Sequence, residues 1–354
     1  MDRLQCLYDS LFRILLIFLV LENPAIMPAA ARCGQISAGE PGSMISVTCE
    51  NDIFAGTDYG YTSGAKVSWI SPELHREGPQ GRRSALLHLP LMNDPGYRRN
   101  ISLSFGQMIY TPRNIKYPGV IDGDRPYSGI TYVTVGVHRM NACVQDTIEF
   151  ATGILGPHSY AEYLQDKAHD TFKSVRPNGW ENQLGDEFLL NVFLERKWRM
   201  TRYRLREHLE MDVISYLGIS LGNALSAGNT GFQARLGPDL PHDFGTYLIH
   251  PGHRSSAPMS GADPRFSRRL SDLSLHVFVG VSGYAVARDI TLDGNSFQDS
   301  HRIEKEPFVL EMMAGLGILF SRFKITYAHA YRTPSFKEQQ HGQLFGSITI
   351  SYSF

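Results

Sequence analysis

Two groups of polar residues in the sequence could perform chemistry together. His169 lies in a segment with helical spacing, and Gln165 shares its face one turn earlier. Asn51 and Asp52 follow one stretch of alternating residues, and the hydroxyl residue Thr62 opens the next. A histidine can remove a proton from water, and amide, carboxylate and hydroxyl oxygens are ligands that suit Ca²⁺. The combination indicates hydrolysis of an ester by an activated water, with the cation stabilising the oxyanion.

Each of these residues also has an ordinary structural explanation. A single helical histidine among 13 is more often a surface or packing residue, and Asn, Asp and Gly populate turns in any protein. The spacing of the acidic residues is not that of an EF-hand loop. The chain also lacks Gly-x-Ser-x-Gly, His-Glu-x-x-His and a phosphate loop, which are the signatures of serine hydrolases, zinc peptidases and nucleotide-binding proteins.

The overall composition excludes two large classes of protein. The 354 residues include 34 basic and 35 acidic side chains, so no basic surface favours binding to nucleic acid. No run of 18 apolar residues exists, which argues against a helical membrane protein. The slightly negative mean hydropathy by itself suggests an aqueous environment.

The N-terminal segment is typical of an exported protein. A short apolar run at residues 14–21 follows two arginines, and small residues at 29–31 follow the run. This order predicts a cleaved signal peptide over residues 1–31 and one mature domain over residues 32–354. The three cysteines that remain leave the choice of any disulfide open: Cys33, Cys49 and Cys143.

The mature chain is dominated by alternation with a period of two, which is typical of strands with one apolar face. About 12 such segments are longer than the strands of soluble sandwiches and suit tilted strands that cross a membrane. The pattern predicts an all-β fold, a 12-stranded antiparallel transmembrane β-barrel. The predicted strands lie near residues 44–54, 61–71, 100–110, 128–140, 145–155, 187–198, 205–222, 229–237, 273–287, 307–320, 322–332 and 344–354.

The last predicted strand alternates apolar and small polar residues and ends on Phe354. Such a strand resembles the sorting signal of bacterial outer-membrane proteins, which implies the barrel-assembly machinery as a partner. A closing edge strand of a secreted sandwich is the alternative. Barrel closure is favoured because it removes the free apolar edge that would otherwise invite aggregation.

One segment departs from the alternation and is predicted to be a helix in a loop. Residues 160–173 begin after Ser159, and Glu162 three residues later completes a capping box. Its apolar residues keep helical spacing, at Ala161, Leu164, Ala168 and Phe172. Residues 238–271, rich in proline, are predicted to form a long mobile loop.

An ordered set of short motifs resembles the outer-membrane lipid A 3'-O-deacylase family of Gram-negative bacteria. The resemblance covers the chain from about residue 44 to the C-terminus and is densest before residue 200. In order, the motifs are Asn51-Asp52, Tyr61-Thr62-x-Gly64, Gln107-x-x-Tyr110-Thr111-Pro112, Gly123-Asp124-Arg125, Tyr127-Ser128, Gly156-Pro157, Gln165-Asp166-Lys167-Ala168-His169 and Trp180-x-x-Gln183.

The resemblance implies a 12-stranded barrel with its active site at the level of the outer leaflet, between the wall and a helix of an extracellular loop. The implied enzyme removes the 3'-linked acyloxyacyl chain of lipid A in lipopolysaccharide, requires Ca²⁺, and uses a phospholipase A2-like mechanism. His169 would be the general base, and Asp52 would help to hold Ca²⁺ or orient the base, with Asn51 beside it. Thr62 would line the site, and Lys116 is the nearest candidate for the basic residue that binds substrate or oxyanion.

Two other functions remain open on the sequence alone. A non-enzymatic barrel such as a porin or adhesin would explain the strands but would leave the loop helix without a role. An outer-membrane phospholipase would use similar chemistry on a different ester.

Overall fold

The structure is a computed structural model that describes residues 42–56, 60–74, 96–250, 263 and 273–354. The predicted signal peptide lies outside the described residues, and so does Cys33. No helix in these ranges is long and apolar enough to cross a membrane.

Twelve antiparallel strands close into one barrel, which confirms the fold predicted from the alternation. Most boundaries lie within a few residues of those expected, although the sixth strand continues six residues further and the eighth begins four residues earlier. The strands are β1 (Met44–Asn51), β2 (Gly60–Ile70), β3 (Arg98–Thr111), β4 (Ser128–Met140), β5 (Val144–Leu155), β6 (Glu187–Arg204), β7 (Leu209–Gly222), β8 (Leu225–Pro238), β9 (Ser274–Asp289), β10 (Phe308–Phe320), β11 (Phe323–Arg332) and β12 (Gln343–Ser353).

Helical structure is confined to the connections between strands. The predicted loop helix is present as α1 (Ala161–Phe172), and a single turn, α2 (Ile290–Asp293), follows β9. Three short 3₁₀ turns complete the helical elements of the described residues, at Asp52–Ala55, Pro157–Ser159 and Trp180–Asn182.

Alternate residues of each strand face opposite sides of the wall. In β3, Ser102 and Ser104 are buried, whereas Leu103 and Phe105, which alternate with them, are exposed. The buried parity faces the lumen, and the exposed apolar parity forms a band around the outside. This arrangement is the one expected of a barrel surrounded by lipid, where lipid-facing positions are apolar and lumen positions are polar.

The two rims of the barrel can be told apart by the chain termini. Met44 pairs with Ser353 at the end of the barrel where β1 begins and β12 ends. We call this end the terminal rim. Asn51 pairs with Gly346 near the opposite end, which also carries the β5–β6 connection with α1. We call this end the helix rim.

The chain after β8 does not form the mobile loop that its prolines suggested, at least over residues 239–250, because this segment enters the lumen. Phe244 is fully buried, and Gln233 of β8 exchanges two hydrogen bonds of 3.0 Å with the backbone of Thr246. Further along, the backbone N–H of Ile249 donates to Glu50 near the helix rim at 2.8 Å. The segment therefore runs from the terminal rim through most of the height of the barrel. The remainder of the predicted loop, apart from Asp263, lies outside the described residues.

Ion pairs fix this segment to the wall. Asp243 is fully buried and accepts from Arg235 of β8 and from Lys324 of β11, each at 2.6 Å. Arg235 also pairs with Asp212 of β7 at 2.6 Å. A buried carboxylate shared by two cations ties the segment to β8 and β11. Removing either sign would leave an uncompensated buried charge, so these contacts should be retained in the folded barrel.

We expect the filled lumen to prevent conduction of ions. The protein inserted into a planar bilayer should show no stable steps of conductance, in contrast to an open porin barrel. Single-channel recording measures this directly, and a general diffusion porin is the positive control. Regular conductance steps would show that the segment at 239–250 leaves the lumen and would restore the porin interpretation.

Two of the three cysteines of the predicted mature chain lie among the described residues, and they differ in state. Cys143, in the turn between β4 and β5, is disulfide-bonded, and its partner lies outside the described residues. Cys49 is a free thiol on the outward parity of β1.

Candidate active site on the outer face of the barrel

The first part of the site is the turn that ends β1. Asn51 caps the 3₁₀ turn that follows, and its Oδ1 accepts from the N–H of Ile53 at 2.8 Å. Asp52 is the first residue of that turn and is fully buried. The turn ends at Gly56, whose φ of 75° is accessible to glycine at little cost. The local sequence therefore holds a carboxylate and an amide oxygen together at the helix rim.

The second part is an irregularity at the start of β2. The register between β2 and β3 shifts between Tyr61 and Ser63, so that Thr62 is the additional residue of a β-bulge. The hydroxyl of Thr62 is buried and lies 2.7 Å from the hydroxyl of Thr111 at the end of β3. Thr111 has the outward parity of its strand, so the bulge directs Thr62 toward the outside of the barrel.

A row of paired residues connects this turn to the loop helix. Asn51 pairs with Ser63, Ser63 with Ile109, and Ile109 with Gly129, all on the outward parity. Neighbouring strands are about 4.8 Å apart, so the row spans roughly 14 Å of the outer surface. A Cβ on Gly129 would lie 2.1 Å from the Cβ of Ala161, which shows that the first residue of α1 is seated on this glycine.

Hydrogen bonds confirm that α1 approaches the wall from outside. The outward side chains of Gln107 and Thr131 both donate to the carbonyl of Ser159, at 2.7 Å each. Ile109 has outward parity but is buried, because it packs in a cluster with Tyr127, Ala161 and Trp180. The loop helix therefore covers the external surface of β3 and β4 at the helix rim.

The start of α1 differs from the predicted capping box. Tyr160, with φ of 57°, is the residue before the helix, and no side chain caps the first turn. Ser159 belongs to the preceding 3₁₀ turn, and its Oγ lies 3.4 Å from the N–H of Ala161. The capping prediction was wrong because Gly129 and the bonds to Ser159 position this turn, and tertiary contacts outweigh a local capping preference.

The buried face of α1 also differs from the face that the apolar spacing suggested. The buried residues are Ala161, Gln165 and His169, at intervals of four. Leu164 and Phe172, which the sequence pattern placed with the apolar face, are exposed. The helix therefore turns its two polar residues of interest toward the wall and its larger apolar residues away from it.

The imidazole of His169 is held by the backbone that follows the helix. Its Nδ1 lies 2.5 Å from the carbonyl oxygen of Val175. A carbonyl only accepts, so we assign the proton to Nδ1, which leaves Nε2 with its lone pair available. This is the tautomer that a general base requires. The partner of Nδ1 is a backbone carbonyl rather than the carboxylate of Asp52, which removes one of the two roles expected for Asp52.

Gln165 is oriented by a buried tryptophan. The Nε1–H of Trp180 donates to Oε1 of Gln165 at 2.8 Å, and the Trp180 ring packs 5.0 Å from that of Tyr127. Within the described residues, Nε2 of Gln165 is buried and has no hydrogen-bond partner. The fixed amide therefore presents a donor from the same helix face as His169, where a carbonyl oxygen could accept it.

Lys116 lies in the loop between β3 and β4 and is exposed. This loop is tied to the segment behind α1, since the N–H of Asn178 donates to Ile115 at 2.8 Å and Asn182 donates to Pro118 at 2.7 Å. The structure thus brings the Lys116 loop beside the segment that follows α1. These two hydrogen bonds fix the backbone of the loop on either side of Lys116.

The donor set near Asn51 can be compared with the needs of Ca²⁺. A buried carboxylate, an amide oxygen and the nearby hydroxyl of Ser63 are hard oxygen donors, and Ca²⁺ completes its six to eight ligands with carbonyls and waters. Across the described ranges, no three His, Cys, Asp or Glu residues cluster as a metal site would require. The donors are of the oxygen type that Ca²⁺ prefers, with a single carboxylate among them, and they lack the nitrogen and sulfur ligands of a zinc site.

The sequence-predicted residues therefore fall into three places around one rim. Asn51, Asp52 and Thr62 lie at the β1–β2 end, Gln165 and His169 face the wall from α1, and Lys116 lies in the adjoining loop. The Val175 carbonyl was missed because a main-chain acceptor carries no signal in the sequence.

The fold and the site together define an outer-membrane β-barrel with polar residues held between a loop helix and the external surface of the wall. The profile of the outer membrane protein LpxR family matches residues 12–354, which is nearly the whole chain. The chain belongs to this family, and the resemblance stated from its motifs is confirmed. Family and fold together place the protein in the outer membrane.

A solved structure of high overall similarity supports the same fold, and two others are similar to a lesser degree. LpxR from Salmonella typhimurium is 16% identical, with a TM-score of 0.68 over 88% of this chain and 100% of that chain. The β domain of the Bordetella autotransporter BrkA is 8% identical, with a TM-score of 0.39 over 90% and 99%. The KdgM porin is also 8% identical, with a TM-score of 0.34 over 88% and 99%. No curated protein matches the sequence.

Proposed function

We propose that the protein is a lipid A 3'-O-deacylase that hydrolyses the 3'-linked acyloxyacyl ester of lipid A at the surface of the outer membrane. The observation that carries the proposal is His169, a histidine of suitable tautomer on the wall-facing side of a helix outside the barrel. A base inside the lumen would not meet a lipid. The family assignment and the ordered motifs support the same activity.

His169 would act as the general base. With Nδ1 held by Val175, Nε2 removes a proton from the attacking water and returns it to the leaving alkoxide. The covering helix and the buried Trp180 limit access of bulk water to this site. The Gln165 amide would donate to the carbonyl oxygen as negative charge develops there.

Ca²⁺ is the proposed cofactor, and Asp52 and Asn51 are its proposed ligands. When bound, Ca²⁺ supplies positive charge near the ester carbonyl. Asp52 holds its carboxylate at the rim through burial in the first turn after β1, while Asn51 fixes that turn by capping it. Thr62 would line the site from the bulge of β2, and Lys116 would bind a phosphate or the oxyanion.

The filled lumen weighs against the porin alternative. A phospholipase would use the same residues, so the choice between the two enzymes depends on which ester the protein hydrolyses. Purified protein with Ca²⁺ should release an acyloxyacyl chain from lipid A and leave phosphatidylethanolamine intact in the same mixed micelles. Release of fatty acid from the phospholipid alone would make the protein a phospholipase and would overturn the proposed substrate.

Trp180→Phe tests whether the orientation of Gln165 matters to the reaction. Phenylalanine keeps most of the ring packing against Tyr127 and removes only the Nε1–H donor. We expect the rate of acyl release to fall about tenfold, the effect of one hydrogen bond worth about 1.4 kcal/mol. The measurement is kcat and KM for lipid A together with the temperature of heat modification. An unchanged kcat would show that Trp180 only packs.

Export by a cleaved signal peptide and recognition of the last strand by the barrel-assembly machinery are proposed with this function. The mature N-terminus expected is Arg32, and N-terminal sequencing of protein purified from outer membranes checks it.

A further inference from the structure

Three apolar residues of α1 face neither the wall nor the charged side of the helix. Leu164, Ala168 and Phe172 recur every four residues and therefore form one stripe along the helix, which we call the apolar stripe. All three are exposed, with Leu164 at 47% and Phe172 at 74% of their full surface. Leaving a side chain such as Leu or Phe in water forfeits the hydrophobic free energy that burial would provide.

Acidic residues occupy the other side of the same helix. Glu162, Asp166 and Asp170 are also four residues apart and form an acidic stripe, separated from the apolar stripe by the wall-facing row. The pKa of Glu162 is raised by partial burial and then by the charges of Asp166 and Glu181. Asp170 pairs with exposed Arg176 at 2.5 Å. One flank of α1 is thus apolar and the other is charged.

The position of α1 on the wall places it beside the lipid-facing band. The helix is seated on Gly129 and Ile109, and exposed Val133 and Phe105 lie four residues further along the same strands. Four residues of a strand span about 13 Å, so the band begins roughly 13 Å from the seat of the helix, in the direction of the terminal rim. The acidic flank of the helix faces the segment that follows it, through Asp170 with Arg176 and Glu162 near Glu181, and that segment is tied to the β3–β4 loop at the rim. The apolar stripe lies on the opposite flank, which is the flank toward the lipid-facing band.

We propose that the apolar stripe of α1 is inserted among the acyl chains of the surrounding leaflet, while the acidic stripe faces water. The occupant is membrane lipid, because the stripe continues the lipid-facing band. Helices with this division of faces lie in the plane of a membrane interface, with their apolar side a few ångströms below the headgroups. The proposal does not depend on the hydrolase assignment. If that assignment is right, the wall-facing row would hold His169 at the edge of the leaflet.

Spin labels on single cysteines test the insertion. In a Cys49→Ser background without reductant, a nitroxide is attached to Phe172→Cys and, in a second protein, to Glu162→Cys on the acidic side. The protein with its native Cys49 labelled is the lipid-facing reference. Each protein is reconstituted into phosphatidylcholine vesicles, and the accessibilities of the label to oxygen and to a chelated nickel ion are measured by electron paramagnetic resonance.

We expect the ratio of oxygen to nickel accessibility at Phe172→Cys to be close to that at Cys49 and several-fold above that at Glu162→Cys. Equal ratios at the two helix positions would show that the stripe is in water and would overturn the proposal. Low accessibility to both reagents with dipolar broadening would show that a second copy of the chain covers the stripe, which would overturn it as well. Leu164→Cys reports on the same stripe if Phe172→Cys does not assemble.

Discussion

His169→Ala should lower the release of the acyloxyacyl chain from lipid A by roughly 10²–10⁴-fold, the contribution that a general base makes to a hydrolytic step. The loss should appear in kcat, because the base acts on the attacking water and contributes little to binding of the acyl chains. Initial rates over a range of lipid A concentrations in mixed micelles measure both parameters.

The barrel of His169→Ala should remain intact, since His169 lies on a helix outside the wall and belongs to none of the twelve paired strands. Heat-modified migration on a gel checks this. His341→Ala, an exposed histidine of the β11–β12 loop at the same rim, is the matched control and should keep full activity. Full activity of His169→Ala would show that the base is another residue, even if the substrate is right.

Asp52→Asn should raise the Ca²⁺ concentration required for half-maximal activity by at least about 10–100-fold, because losing a direct ligand should cost more than losing a residue that only orients one. The substitution removes a negative charge and keeps the shape of a fully buried side chain. The unmodified site, with one carboxylate among its donors, should itself bind weakly, with a dissociation constant of about 10⁻⁴–10⁻³ M. Activity titrated with buffered Ca²⁺ gives both values.

The matched control for Asp52→Asn is Asp122→Asn, in an exposed part of the β3–β4 loop. Its Ca²⁺ dependence should not change. If Asp52→Asn instead lowers kcat equally at every Ca²⁺ concentration, Asp52 acts on the reacting groups rather than on the metal, and the proposed calcium ligands are wrong.

The barrel could be predicted from the sequence because each strand shows its alternation within its own ten or so residues. A strand with one lipid-facing side must alternate apolar and polar residues. In β3, the alternation from Ser102 to Phe105 therefore indicates which residues face lipid. Composition alone indicated an aqueous protein, since only one parity of each strand is apolar. The filling of the lumen could not be predicted, because the contact of Asp243 with Arg235 and Lys324 joins segments that no local pattern relates.

The residue types of the candidate site could be predicted from the sequence, but the contacts that orient them could not. The motifs gave Asn51, Asp52 and His169, whereas the partner of His169 is the backbone of Val175, whose side chain carries no information. The helix was predicted within one residue at each end, and Gln165 and His169 share one face as expected, but the apolar spacing did not indicate that this is the buried face. The spacing of apolar residues identifies an apolar stripe on a helix but does not indicate which surface packs against it. In the structure the wall packs against the row of Ala161, Gln165 and His169 instead.

The decisive experiment is mass spectrometry of lipid A after incubation with the purified protein, once with Ca²⁺ and once with EGTA in its place. We expect lipid A to lose the mass of one acyloxyacyl unit in Ca²⁺ and to keep its full mass in the chelator. Lipid A of unchanged mass in both, with protein whose heat-modified migration shows a folded barrel, would contradict it.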